Sequence, residues 1–180
     1  MQEVTYKVPS PESAPECVKI HSKLIEVIGS LKPRRVLDIG CGSGDLTAEL
    51  FRVGLDVVGL EPTELAGVAE KRCGVGRIIR GSCYDVYDEN RFGKFDVVIA
   101  SEVIEHLYLP RKLAEFSAAA LSNNGHLVLS LPHYGSYWRN LFIALTNRWD
   151  YHHTPLWDGG HIKFFPKIPL EFFSMKPASM

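Results

Sequence analysis

An α/β chain built on a doubly wound parallel sheet is what this sequence predicts, and three observations carry that reading. Short apolar runs alternate with helix-compatible stretches from Arg35 onward. The first run, Val36 to Ile39, breaks into Gly40-Cys41-Gly42-Ser43-Gly44 and leads into a helical segment. An acid, Glu61, ends the second run about 20 residues beyond that loop. Strands alternating with helices give a parallel sheet covered on both faces, and a ligand then binds beyond the carboxyl ends of the strands, where the strand order reverses.

Taken in order, residues 1–15 are polar and carry Pro9, Pro11 and Pro15, too close together for a helix. Cys17, Ile20, Leu24, Val27 and Ile28 recur at helical spacing, so an amphipathic helix is expected to end near Gly29, with Pro33 marking the link to the sheet. Strands are expected at Val36–Ile39, Val57–Leu60, Ile78–Ile79, Phe95–Ala100 and Leu127–Leu131, with helices at Leu46–Arg52, Thr63–Arg72 and Pro110–Leu121. Beyond the fifth strand the composition changes. Tyr134, Tyr137, Trp138, Phe142, Trp149, Tyr151, Trp157, Phe164 and Phe165 fall in one stretch too long for an ordinary connection. Trp138–Leu145 suits a short helix there. The stretch is expected either to cover the pocket as a lid that selects the substrate, or merely to cover the sheet.

The 180 residues, 46% hydrophobic and 23% charged, suit one domain with a sizeable core. Twenty Lys+Arg against 21 Asp+Glu leave a net charge of -1, so no global field draws the chain to nucleic acid, which is disfavoured as a partner. The four cysteines form no C-x-x-C pair, and no long apolar span or leader pattern is seen, so a reduced, cytoplasmic protein outside the membrane is expected. The single domain divides into a lead-in and helix (1–34), a ligand-binding core (35–131), the aromatic segment (132–165) and an atypical tail (166–180).

The glycine register separates two ligands. A dinucleotide fingerprint, G-x-G-x-x-G, would put a small residue at Asp45, whereas the third glycine is Gly44. Asp38, two residues before Gly40, stands where a dinucleotide strand is usually apolar, yet it suits an ammonium group. A nucleotide with a cationic amino-acid part therefore fits better than a nicotinamide cofactor, and Glu61 is placed to take its ribose hydroxyls.

Three segments, Val36 to Asp45, Val57 to Pro62 and Phe95 to His106, resemble those of class I S-adenosylmethionine-dependent methyltransferases, and within them the ubiquinone-biosynthesis O-methyltransferase group. The likeness covers Arg35 to Leu131. It implies a Rossmann-like fold, S-adenosylmethionine as cofactor, and a small-molecule acceptor methylated at oxygen. It also implies roles. Asp38 would face the methionine amino group; Gly40, Cys41, Gly42 and Gly44 would bring the backbone against the cofactor; Glu61, with Pro62 beside it, would hold the ribose. Ser82 falls where relatives carry an acid for adenine, so that contact is expected to be weaker or to come from the backbone at Cys83. Ser101 would lie beside the reactive methyl.

Glu102, Glu105 and His106 stand at i, i+3 and i+4 and share a face if the segment is helical. Together with His161, which resembles a late histidine of metal-using members, they would form a site for a divalent metal such as magnesium; alternatively Glu102 and His106 merely hydrogen-bond across one turn. His133, after the fifth strand, and His106 are the candidate bases. Measured against the family, the chain is expected to be truncated or frameshifted near Ser174, lacking the usual C-terminal antiparallel hairpin and offering an open sheet edge to a homodimer. Two rival functions remain, a non-catalytic module that binds S-adenosylmethionine or S-adenosylhomocysteine, and a nicotinamide-dependent oxidoreductase.

Overall fold

Alternating side chains along the central strand decide which helices cover which face. The computed structural model describes residues 15–132, 137–146 and 162. Its sheet has five strands, β1 (Arg35–Ile39), β2 (Asp56–Glu61), β3 (Ile78–Arg80), β4 (Phe95–Ser101) and β5 (Leu121–Ser130), in the order β3-β2-β1-β4-β5. Every pairing is parallel. β1 pairs with β2 on one side and β4 on the other, so the strand order reverses beside β1, the switch point at which such sheets bind ligands.

Helices cover both faces, as the alternation requires. On one face Val36, Val57, Val97, Ile99 and Val128 pack against Leu24 and Ile28 of α1 (Pro15–Ser30) and Leu46 and Leu50 of α2 (Asp45–Arg52). On the other, Leu37, Ile39, Leu60, Phe95, Val98, Ala100 and Leu127 pack against Leu113, Phe116 and Ala120 of α5 (Pro110–Ala120). The spacing of Leu24 and Ile28, and of Leu113, Phe116 and Ala120, gives each helix a single apolar stripe. Each fully buried Leu, Ile or Phe contributes about 1.5–3 kcal/mol of transfer free energy. The starts of the two central strands are tied by Asp96, whose Oδ2 accepts from the backbone N–H groups of Arg34 (2.8 Å) and Arg35 (3.1 Å). Those bonds hold its carboxyl below the usual range. The Arg35 guanidinium also lies 4.6 Å from the centre of the buried Phe95 ring.

β1 to β4 lie where the apolar runs predicted them, as do α2, α3 (Leu65–Cys73), α5 and, over Trp138–Leu145, α6 (Tyr137–Thr146). β5 differs. It starts at Leu121, directly after α5, and its register shifts between the Phe95–Leu121 and Val97–His126 pairs, with Asn124 at φ 69°. The short helix α4 (Glu89–Phe92) was not expected; Asp88 caps it by accepting from Asn90 N (3.0 Å) and Arg91 N (3.4 Å). Residues 102–106, whose side chains share a face only if the segment is helical, do not wind as an α-helical turn: only Ile104–His106 are helical, and as a 3₁₀ turn. Among the described residues no helix is long and apolar enough to cross a membrane. His133, His161, the rest of the aromatic segment apart from Pro132, α6 and Ile162, and the tail 166–180 lie outside the described residues.

Candidate functional site

The loop after β1 is laid across the end of β2 by its own backbone. Gly40 N (2.7 Å) and Cys41 N (3.2 Å) both donate to Leu60 O, and Gly42 N donates to Glu61 Oε2 at 2.9 Å. The other carboxylate oxygen of Glu61 accepts from Thr63 N (3.0 Å) and Thr63 Oγ1 (2.6 Å), which fixes this buried acid against the loop. Gly40 has φ 71°, and a Cβ there would lie 2.6 Å from Val103 Cγ2, so only glycine lets this loop meet the turn after β4. Gly42 has φ 55°, but a Cβ there would find no atom within 4 Å. The loop therefore faces open space at Gly42. Directly afterwards α2 begins, with Asp45 in its first turn accepting from Ser43 Oγ and paired with Arg72.

Asp38 lies on the face of the sheet covered by α1 and α2, where it is 2% exposed and accepts a 2.6 Å hydrogen bond from Thr47 Oγ1 of α2. Burial lifts its carboxyl to about 7; the Thr47 bond opposes this, and the negative charge of Glu61 adds to it. A cation brought to this acid would be stabilised by it. The buried Cys41 thiol, pushed up by burial and by Asp38 and Glu61, is kept protonated and so unreactive.

At the ends of β4 and β5, Ser101 and Ser130 face one another in register, their hydroxyl oxygens 2.9 Å apart. Ser130 Oγ donates to Glu102 Oε1 (3.1 Å), and Glu102 N donates to Ser130 O (3.0 Å), a two-point hold that keeps Glu102 at φ 54°. Burial raises the Glu102 carboxyl, and the Ser130 bond works against it. Glu105 is fully buried, and its carboxyl is pushed up to about 7, by burial first and by Glu102 in addition. His106 Nε2 lies 4.0 Å from Glu105 Oε1, on a side chain 31% exposed. Ile162 N donates to Glu105 O at 2.9 Å, joining a distant part of the chain to this turn.

The sequence-derived site residues therefore divide. Asp38, Gly40, Cys41, Gly42, Gly44 and Glu61 come together at the switch point with Ser101 nearby, whereas Pro62 is exposed. Ser82 serves its own turn: its N–H donates to Asp85 Oδ2 (2.7 Å) and its hydroxyl accepts from Tyr84 N (3.2 Å). Cys83 packs into the core on the α5 side. Of the expected metal set, Glu102, Glu105 and His106 fall within the described residues and His161 outside them. Among the described residues no group of three His, Cys, Asp or Glu side chains is arranged for a metal ion; Glu102 precedes the helical turn in a left-handed conformation and Glu105 is buried. Thr47 and Ser130 belong to no motif in the sequence. The signal for each is its position, in the first turn of the helix after the glycine loop and at the last residue of β5.

A family model described as a methyltransferase domain matches residues 15–171. A ubiquinone biosynthesis O-methyltransferase of Bordetella avium is 31% identical over 109 residues, which cover 58% of this chain and 45% of that protein. The chain spans less than half the length of the first such relatives. A SAM-dependent methyltransferase of Thermotoga maritima superposes with a TM-score of 0.59 at 18% identity, over 82% of this chain and 64% of that one. The N-methyltransferase NodS of Bradyrhizobium japonicum, solved with S-adenosyl-L-homocysteine, gives 0.56 at 22% identity, over 66% and 63%.

Proposed function

Because the chain belongs to the methyltransferase-domain family, matched over residues 15–171, we propose that it transfers a methyl group from S-adenosylmethionine to an oxygen atom of a small-molecule acceptor. The observation that carries this reading is the glycine loop fastened to Glu61 through Gly42 N–H, open on its far side at Gly42, with the buried Asp38 carboxyl close behind it. That arrangement fits a cofactor with an ammonium group at one end and a ribose at the other. The likeness to ubiquinone biosynthesis O-methyltransferases supports oxygen as the methylated atom.

S-adenosylmethionine, when bound, supplies an electrophilic methyl group on a positively charged sulfur. The chain's own residues bind and orient it. Asp38 would hold the amino group, its carboxylate favoured over the acid once a cation lies beside it. Glu61 would take ribose hydroxyls with the acceptor capacity that Gly42 and Thr63 leave on its oxygens. The backbone of Gly40 to Gly44 would lie against the cofactor, and the backbone at Ser82 and Cys83 would meet the adenine. A hydroxyl acceptor must shed its proton on methylation, and His106, partly exposed with the Glu105 carboxyl 4.0 Å behind it, is the base we assign, with His133 as the other candidate.

The test is a screen of hydroxylated and amine acceptors incubated with S-adenosylmethionine and the full chain, scored by S-adenosylhomocysteine release. Release dependent on a hydroxylated acceptor is expected. Release with amines alone would overturn the choice of oxygen, and tight binding of S-adenosylhomocysteine with no release from any acceptor would favour a non-catalytic binding module.

A further inference from the structure

Three residues at the carboxyl ends of β4 and β5 form a hydrogen-bond relay whose direction is set by its last member. A carboxylate only accepts, so Ser130 gives its single hydroxyl proton to Glu102 Oε1 at 3.1 Å. With that proton committed, the 2.9 Å contact between the two serine oxygens has one polarity left: Ser101 donates and Ser130 accepts. Ser101 Oγ then has no proton to offer and keeps a lone pair. The backbone enforces the arrangement. Glu102 is held at φ 54°, a conformation a non-glycine residue rarely adopts, and the bonds to Ser130 through both its N–H and its side chain offset its cost.

The relay also lies in the right place. Asp38 is in register with Ile99, so Ser101, two residues further along β4, comes level with Gly40 at the switch point. Side chains alternate along a strand. Val97 and Ile99 pack on the face that holds Asp38, and Ser101 follows in the same phase, as Ser130 follows Val128.

We infer that Ser130 and Glu102 are positioning residues that present Ser101 Oγ as a hydrogen-bond acceptor to the methyl acceptor, so that the site selects molecules bearing a hydrogen-bond donor, a hydroxyl above all. This rests on the methyl-transfer reading for its substrate, whereas the polarity of the relay rests on the two distances and on an ionised Glu102.

The experiment uses the full chain, catechol as the probe acceptor, and the variants S101A, S130A and S130T. Each is measured for S-adenosylhomocysteine release and, by calorimetry, for S-adenosylhomocysteine binding. Loss of one hydrogen bond to the acceptor corresponds to about a tenfold rise in KM in S101A. In S130A, where Ser101 is freed to rotate, a rise of roughly threefold is expected. In both, S-adenosylhomocysteine affinity is expected to stay within about twofold of wild type, because neither substitution alters the backbone at Ser101, and S130T to restore the wild-type KM. An unchanged KM in S101A and S130A, or a loss of S-adenosylhomocysteine affinity in step with KM, overturns the inference. If the wild type binds S-adenosylhomocysteine but does not turn over catechol, it is the choice of acceptor that fails, and neutron diffraction decides the relay. A Ser101 deuteron aimed at Ser130 Oγ supports it, and a Ser130 deuteron aimed at Ser101 overturns it.

Discussion

Replacing Asp38 by asparagine is expected to make the ligand-free chain more stable in mild alkali while removing its affinity for the cofactor. Asp38 is 2% exposed and its carboxyl is lifted from 3.8 to about 7, chiefly by burial. An acid whose folded pKa lies above its unfolded value binds more protons folded than unfolded throughout that window, so the stability it confers is full below about pH 4 and falls as pH rises to 7. Above pH 7 the chain carries the whole cost of a buried carboxylate, about 4 kcal/mol when the displacement of the pKa is converted at 1.36 kcal/mol per unit. The groups around Asp38 are Thr47 on α2, Glu61 on β2, and Cys41 and Cys73. All four are present in the variant, so the comparison isolates the Asp38 charge together with its coupling to them. The amide introduced by D38N keeps an oxygen for the Thr47 bond and carries no charge.

For a chain of this length, about 4 kcal/mol corresponds to a rise in Tm on the order of 10 °C. Thermal melts of wild type and D38N without ligand, from pH 4.5 to pH 8.5, are the assay. The expected result is near-equal Tm at the acid end and a higher Tm for D38N at the alkaline end. Calorimetry with S-adenosylhomocysteine supplies the second arm: wild-type affinity falls as pH drops below 7, and D38N binds weakly at every pH. A D38N chain less stable than wild type at pH 8 would refute the argument, because it would mean that the ionised carboxylate is held by contacts that favour its charge.

Three further substitutions separate the loop from the core. G42A places a Cβ in open space at φ 55°, so a stability loss of about 1–2 kcal/mol should accompany a fall in S-adenosylhomocysteine affinity of more than about tenfold, read by melts and calorimetry; unchanged affinity would show that the cofactor does not use that side of the loop. E61A leaves Gly42 N, Thr63 N and Thr63 Oγ1 without their acceptor and is expected to cost about 2–4 kcal/mol in urea unfolding, with binding lost as well. L113A, at a side chain 1% exposed on the face away from Asp38, is expected to cost about 2–5 kcal/mol yet leave S-adenosylhomocysteine affinity intact at temperatures where the chain stays folded.

How much of this was legible in the sequence depended on whether the physics is local. Val36–Ile39 and Phe95–Ala100 are apolar but for Asp38 and Asp96 because both faces of a central parallel strand are buried, and that shows in composition. The glycine register and its distance from Glu61 were legible for a similar reason, since backbone that must turn sharply leaves glycines behind. The start of β5 leaves no apolar run in the sequence, because it depends on a single pairing, Phe95 with Leu121, before the register shifts. α4 is one turn held by Asp88, below the length at which periodicity is visible. The spacing of Glu102, Glu105 and His106 suggested a shared face only if the segment wound at 3.6 residues per turn; the 3₁₀ turn and the positive φ of Glu102 remove that premise. Thr47 and Ser130 gain their meaning from partners on other elements, Asp38 and Ser101, brought to them by packing and strand register.

Binding of S-adenosylhomocysteine set against binding of NADH, by calorimetry on the full chain at pH 7.5, tests the central claim most directly. The account requires S-adenosylhomocysteine to bind and NADH not to, with S-adenosylhomocysteine binding weakened in D38N. Preferential binding of NADH, or S-adenosylhomocysteine binding indifferent to both D38N and G42A, would contradict it.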